Sequence, residues 1–139
     1  MKLILASNSK DRKKILDNLH INYEVIPSNI EENSSCKNVY DYVMDLSKQK
    51  ASNVYKRTNG LVIACDTVIF CDNKILEKPK DLNEAFEMLK NLSGKTSINK
   101  IEPTAVLIDS KILTNTDALY SNKKLALVWN ILTTGTKNI

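Results

Sequence analysis

The chain has 139 residues, 42% of them hydrophobic and 26% charged, with a formal net charge of +4, which are proportions of a single globular domain spanning 1–139. The charge is spread evenly, with ten basic and eight acidic residues in each of 1–70 and 71–139, and no apolar stretch approaches the ~20 residues of a membrane-spanning helix. We therefore predict a cytoplasmic protein that has neither nucleic acid nor a membrane as its partner.

Strands and helices alternate along the first two thirds of the chain. Apolar runs and period-two alternation indicate strands, and apolar residues at helical spacing indicate helices. The predicted elements are a strand at 2–6, a helix at 9–19, a strand at 22–27, a helix at 38–57 ended by Gly60, a buried strand at 61–65, a hairpin turning at Cys71-Asp72-Asn73, a helix at 81–94, and a hairpin of 104–108 and 111–113. This order predicts an α/β fold, with a mixed twisted sheet flanked by helices.

The helix at 81–94 has the clearest pattern in the chain. Asp81 and Glu84 form a capping-box-like pair at its start, and Gly94 ends it. The apolar residues of this helix form a stripe at helical spacing. Its members are Ala85, Met88, Leu89 and Leu92.

The cysteines and the single histidine predict no metal site. Cys36, Cys65 and Cys71 lack a C-x-x-C spacing, so neither a disulfide framework nor a thiolate zinc site is indicated. Cys65 and Cys71 are expected to be buried, as free cysteines commonly are. His20 follows the first helix and is predicted to be a surface charge.

Two predicted strands are followed directly by polar residues. Ligands of open α/β sheets bind outside the carboxyl ends of the strands. After the first strand, the hydroxyls of Ser7 and Ser9 precede the positive charges of Arg12 and Lys13 at a helix start, a combination that favours phosphate. The alternative is that a serine only caps this helix and that the basic side chains are solvated.

Asp66 follows the strand 61–65, in which both faces are predicted to be covered. A buried carboxylate has to be paired, to cap a helix, or to hold a metal, and capping is disfavoured because a hairpin strand follows. Glu31 and Glu32 lie in the loop after the strand 22–27, from which a second carboxylate can reach the same crevice and share Mg²⁺ with Asp66. Solvent exposure is the alternative for both glutamates.

Two lysines are candidates for the same crevice. Lys50 lies four residues after Leu46 and four before Val54, on the stripe that should face the core, so its ammonium needs an anionic partner or has to reach the surface. Lys78 precedes Pro79, which holds it in an extended conformation. Its alternative is an exposed loop position.

Several motifs together resemble the Maf family of nucleoside triphosphate pyrophosphatases, also called septum-formation inhibitor-like proteins. They are "LILASNSKDRKKIL", the pair "EE", "LSKQKA", "ACDTVIFCDNKILEKPKD" and "EMLKNLSGKT", in that order. The resemblance is clear for 2–96 and weak for 97–139. It implies an enzyme that hydrolyses a canonical or modified nucleoside triphosphate to the monophosphate and pyrophosphate, with a divalent cation, Mg²⁺ or Mn²⁺, and it also allows a homodimer.

The resemblance assigns roles to individual residues. Asp66 matches the proton acceptor, which with Glu32 would hold the metal, and Thr67 matches a position tied to substrate choice. The remaining matches are Ser7, Ser9 and Arg12 for the phosphate turn, with Lys13 beside them, Glu31 and Glu32 for the acidic pair, and Lys50 and Lys78 for the two lysines that offset charge on the leaving pyrophosphate.

The chain also departs from the family pattern. Asp11 stands where the family has an arginine, Ser97 where it has a histidine, and the match fades from 114 onward, with only a faint echo in "NILTTGTKNI". These departures predict a chain whose C-terminal part is incomplete. The alternative function is therefore a catalytically impaired Maf-like module that binds a nucleotide or a partner without turnover.

Overall fold

The computed structural model describes residues 2–95, together with the backbone of three later strands. The sequence-based expectations for Ser97 and for 114–139 lie outside the described residues. Three helices and eight strands are described. In chain order they are β1 (Leu3–Leu5), α1 (Lys10–Asn18), β2 (Glu24–Val25), α2 (Val39–Thr58), β3 (Leu61–Cys65), β4 (Val68–Cys71), β5 (Lys74–Leu76), α3 (Leu82–Leu92), β6 (Asn99–Ile101), β7 (Thr104–Ile108) and β8 (Lys111–Leu113).

The strands form two sheets. The larger has the order β2-β1-β3-β7-β8, in which β1 is parallel to β2 and β3, whereas β7 is antiparallel to β3. The smaller has the order β5-β4-β6 and is antiparallel. The mixed sheet and its helices confirm the predicted α/β class. Strand β6 was not predicted, because the stretch that contains it lacks a strand pattern.

Helix α2 and the central strands form the core. Along α2 the side chains of Val43, Leu46 and Val54 are buried, as their spacing predicts, and they are joined by Ala51. Strand β3 is buried through Val62, Ile63 and Ala64. The core therefore lies between this long helix and the middle of the larger sheet. None of the helices that the structure describes offers an apolar stretch long enough to cross a membrane.

Helix α2 ends at Thr58, one residue after the predicted end at 57. Asn59 adopts the left-handed conformation, with φ of 51°, and its N–H bonds to the Tyr55 carbonyl, so Asn59 rather than Gly60 is the C-cap. Gly60 has a different role. A Cβ at this position would lie 2.6 Å from Ile4 Cδ1 and 3.0 Å from the Lys2 carbonyl, so glycine allows β1 and the start of β3 to approach closely.

Helix α3 forms within its predicted bounds, 81–94. Asp81 caps it by accepting from the Glu84 N–H at 2.8 Å, and the Glu84 carboxylate accepts from the Lys80 N–H, a variant of the predicted capping box. Of the stripe residues, Ala85, Met88 and Leu92 are half-buried and Leu89 is exposed, as are Leu82 and Phe86.

The hairpin between β4 and β5 forms as predicted. Asp72 and Asn73 occupy its turn with φ of 52° and 58°, the left-handed pair that two-residue hairpins favour, and both residue types tolerate this conformation. Lys95 forms an ion pair with Asp72. Cys71 is buried as expected, whereas Cys65 is only half-buried. His20 is exposed, as predicted.

Candidate active site

The parallel pairing of β1 and β3 brings two strand ends to the same edge of the larger sheet. Leu5 pairs with Ile63, and the Ala6 N–H donates to the Ile63 carbonyl at 2.8 Å. The chain then leaves β1 through Ser7 and leaves β3 through Asp66. The polar residues that follow each strand therefore face one region, as the rule for open α/β sheets predicts.

The turn after β1 is organised by hydrogen bonds. Ser9 is the N-cap of α1, and its hydroxyl accepts from the Arg12 N–H at 3.4 Å, while the Ser7 hydroxyl accepts from the Ser9 N–H at 3.2 Å. The Arg12 guanidinium donates to Ser7 Oγ at 3.0 Å and to Thr67 Oγ1 at 2.9 Å. Arg12 thus joins the two strand ends, and a positive charge lies at the start of α1, where the helix dipole also favours an anion.

Lys50 holds two carboxylates together. Its ammonium lies 2.6 Å from Asp66 Oδ1 and 2.9 Å from Glu32 Oε1. The side chains of Lys50 and Asp66 are 12% and 11% exposed, whereas Glu32 is 51% exposed. Asp66 is therefore a buried, paired carboxylate at the end of a buried strand. Lys50 takes the first of its two alternatives, an anionic partner in the interior.

Two neighbouring clefts open at this edge. The larger has a volume of about 370 Å³ and the smaller about 130 Å³, and both are lined by Glu32 and Lys78. The larger is also lined by Ala6, Ser7, Asn8, Ser9, Arg12, Pro27, Ser28, Lys50 and Cys65, and the smaller by Leu46, Asp66, Thr67, Val68 and Glu77. A polar lining with few apolar residues is typical of a site for a charged ligand.

Most of the candidate residues from the sequence meet at these clefts. Ser7, Ser9, Arg12, Lys50, Glu32 and Lys78 line the larger, and Asp66 and Thr67 line the smaller. Glu31 and Lys13 line neither of the two clefts, and Glu31 is exposed. Asp11 is exposed in the first turn of α1 and also lines neither. In each of the adjacent pairs Glu31–Glu32 and Arg12–Lys13, one residue therefore lines a cleft and the other does not.

Helix α2 holds the loop that carries Glu32. Near one end of this loop the Arg57 guanidinium donates to the Pro27 carbonyl at 3.1 Å, and near the other the Gln49 amide donates to the Asn33 carbonyl at 2.9 Å. The same Gln49 nitrogen donates to Asp45 Oδ2 at 2.9 Å. Asn33 directly follows Glu32, so these contacts from α2 hold the backbone beside Glu32. They thereby fix the position of the Glu32 carboxylate relative to Lys50, which also lies on α2.

Some lining residues were not predicted. Ser28 follows the strand β2 much as Ser7 follows β1, so the strand-end rule was available to identify it. Glu77 lies in the smaller cleft and accepts a hydrogen bond from the Tyr42 hydroxyl at 2.7 Å. This hydrogen bond raises the pKa of Tyr42 to about 12, helped by partial burial and by the nearby charges of Glu77, Asp66 and Glu32.

The chain is similar to known proteins in sequence and in fold. The family model described as "Maf-like protein" matches residues 2–126. A dTTP/UTP pyrophosphatase of Thermoanaerobacter sp. (strain X514) is 50% identical over 97 residues, covering 68% of this chain and 51% of that protein. A dTTP/UTP pyrophosphatase of Clostridium perfringens (strain 13 / Type A) is 44% identical over 124 residues, covering 84% and 64%.

The chain spans about half to just under two thirds of the length of these two relatives. Among solved structures, the nucleoside-triphosphatase / dITP/XTP pyrophosphatase from Mycobacterium abscessus matches with a TM-score of 0.51 at 14% identity. This match covers 82% of this chain and 69% of that one. At this identity the likeness concerns the fold, and it agrees with the α/β class.

Proposed function

The chain belongs to the Maf-like protein family, as its motifs suggested, and from this premise we propose that it is a nucleoside triphosphate pyrophosphatase. The reaction is hydrolysis between the α- and β-phosphates, which yields a nucleoside monophosphate and pyrophosphate. The relatives named dTTP/UTP pyrophosphatase make dTTP and UTP the first candidate substrates. The observation that carries the proposal is the convergence of Arg12, Lys50 and Lys78 with two carboxylates on adjoining clefts.

The phosphates fit the basic side of the larger cleft. Ser7 and Ser9 offer hydroxyls, and α1 begins there with its dipole favouring negative charge. The Arg12 guanidinium is already aimed by its bonds to Ser7 and Thr67. A guanidinium held in this way loses little conformational freedom when it binds a phosphate, which favours a fixed orientation of the substrate.

Asp66 is the candidate general base. Its carboxylate accepts a proton from water as the water oxygen bonds to the α-phosphorus, and the bridging P–O bond breaks with its electron pair leaving on pyrophosphate. The Lys50 ammonium, 2.6 Å from Oδ1, fixes the orientation of this carboxylate. Lys78 lines both clefts and can offset the charge that builds on the leaving group.

The carboxylate oxygens fit a hard divalent cation such as Mg²⁺ or Mn²⁺. Glu32 and Asp66 come from different elements and both contact the Lys50 ammonium, and they are the residues that would hold the cation, since Mg²⁺ commonly binds through one or two carboxylates while substrate phosphates and water complete its shell. Within the described part of the chain, no group of three or more His, Cys, Asp or Glu side chains is placed to hold a metal alone. When bound, the cation supplies positive charge to the phosphates.

Pyrophosphate release tests the proposal. The chain is supplied with dTTP, UTP and purine triphosphates, each with Mg²⁺ or Mn²⁺, and we expect release with at least one of them. Asp66→Asn should lower the rate by about 10²–10⁴-fold while the fold is kept, because an amide cannot accept the proton. Asp72→Asn is the matched control, since Asp72 lies in the β4–β5 turn and pairs with Lys95. Unchanged release by folded Asp66→Asn protein would refute the assigned role.

A second candidate function is nucleotide binding without turnover. Lys50 bonds to both carboxylates at once and so takes the position between them that a bridging cation would take. A chain in which Lys50 kept this position would bind phosphate without gaining the metal. Saturable binding of dTTP or UTP, with no pyrophosphate released, supports this alternative.

A further inference from the structure

Tyr42 and Glu77 form a contact that the proposed chemistry does not use. Tyr42 lies on α2, two turns before Lys50, and Leu46 stands midway between them. Its hydroxyl donates to Glu77 Oε1 at 2.7 Å, although the two residues are 35 positions apart in the chain. Glu77 directly follows β5 and directly precedes Lys78. The contact therefore joins the central helix to the segment that carries a candidate catalytic lysine.

Among the described contacts, the 77–80 segment has one further hydrogen bond of its own, from the Lys80 N–H to Glu84 Oε2 at 2.6 Å. Lys78 is exposed and lies between the end of β5 and the start of α3, outside both elements. Pro79 restricts the backbone of Lys78 from the C-terminal side. From the N-terminal side, beyond the last paired residue of β5, Leu76, the Glu77 carboxylate is anchored on Tyr42. A long lysine side chain on a loosely held backbone samples many rotamers, so the anchor decides how often its ammonium faces the clefts.

The hydrogen bond from Tyr42 also engages the Glu77 carboxylate, which would otherwise compete with the phosphates for the Lys78 ammonium. Glu77 lines the smaller cleft with Glu32, Asp66 and Lys78, and it is adjacent to Lys78 in sequence. If Glu77 were released from Tyr42, its charge could pair with the Lys78 ammonium or repel the phosphates. The hydrogen bond from the phenol keeps the Glu77 carboxylate on α2 and leaves the Lys78 ammonium for the substrate.

We propose that Tyr42 is a positioning residue that acts through Glu77 to hold Lys78 at the two clefts. Helix α2 would then arrange both lysines of the site, Lys50 directly and Lys78 through this contact. The inference rests on the proposed function only for the role of Lys78 toward the phosphates. The anchoring of the 77–80 segment is independent of any activity.

Amide hydrogen exchange of the peptide covering 72–81 tests the anchor without substrate. Tyr42→Phe and Glu77→Gln should each speed exchange by about tenfold, as expected for a lost hydrogen bond to a charged group. The double variant should exchange no faster than either single variant, because both remove the same bond. Tyr40→Phe, the same change at an exposed tyrosine of α2, is the control and should leave this peptide unchanged. Unchanged exchange in Tyr42→Phe would overturn the proposal.

Kinetics tests whether the anchor acts through Lys78. Tyr42→Phe should lower kcat for pyrophosphate release by about tenfold with a smaller change in KM, since leaving-group stabilisation affects the transition state. In a Lys78→Met background the same substitution should change kcat by less than about twofold. An equal loss in both backgrounds would overturn the link to Lys78. Absence of pyrophosphate release from the unmodified chain would instead refute the proposed function, and the exchange result would still decide the anchor.

Discussion

Replacing Lys50 by methionine should destabilise the protein more than any change to an exposed ion pair. Methionine keeps most of the length of the side chain but removes the ammonium, so Asp66 is left as a buried carboxylate without its partner. Removing one member of a fully buried pair costs about 3–5 kcal/mol. Glu32 is 51% exposed and the pair borders a cleft, so water can reach part of it. We therefore expect a loss of about 2–3 kcal/mol in the free energy of unfolding.

Urea unfolding of matched variants measures this loss. Lys2 and Glu24 form an exposed ion pair, so Lys2→Met is the control and should cost at most about 1 kcal/mol. Asp66→Asn in the Lys50→Met background should restore part of the lost free energy, because the amide needs no counter-charge. If Lys50→Met costs no more than Lys2→Met, the buried pair is not a source of stability and the reasoning from burial is wrong.

Three further outcomes are expected. The raised pKa of Tyr42 stabilises the fold at pH values below the ordinary value of 10, and this stability should be lost as the pH rises through about 12. Urea unfolding at several alkaline pH values should show this loss in the unmodified chain and a smaller one in Tyr42→Phe. Gly60→Ala should cost about 1–3 kcal/mol in thermal or urea unfolding, because its Cβ would clash with buried Ile4 and the Lys2 carbonyl. An unchanged stability would contradict the close approach. Asp11→Arg should tighten nucleotide binding by about 1 kcal/mol or less at low salt and by less at high salt, since Asp11 is exposed and screened. Calorimetric titration at two salt concentrations checks this, and a gain that persists at high salt would place Asp11 in direct contact with the phosphates.

Local pattern was enough to predict most of the elements and the edge of the sheet where the candidate residues meet. The unbroken apolar run 61–65 indicated a strand covered on both faces, and its end at Asp66 indicated a carboxylate that needs a partner. Lys50 was identified because it interrupts an apolar stripe. Each of these signals comes from residues only a few positions apart, where helix and strand periodicity determine which side chains share a face.

Contacts between distant segments were not predictable in the same way. The bond between Tyr42 and Glu77 depends on how the β4–β5 hairpin lies against α2, and no local pattern encodes that placement. The spacing of the apolar stripe of α3 was evident from the sequence, but its degree of burial, half-buried apart from the exposed Leu89, depends on which segments lie against it. The roles of the individual site residues, the homodimer and the cytoplasmic location stay predictions.

Helix α2 makes the site sensitive to changes in chain length at one place. Tyr42, Gln49, Lys50 and Arg57 all contact the loops around the clefts from this single helix. An insertion or deletion of one residue after Leu46 would rotate the rest of the helix by about 100°, which follows from 3.6 residues per turn. Lys50 would then leave the clefts while Tyr42 stayed. Length variation among functional variants of this chain should therefore be excluded from 42–57 and tolerated in the exposed stretch 35–37, which precedes the helix.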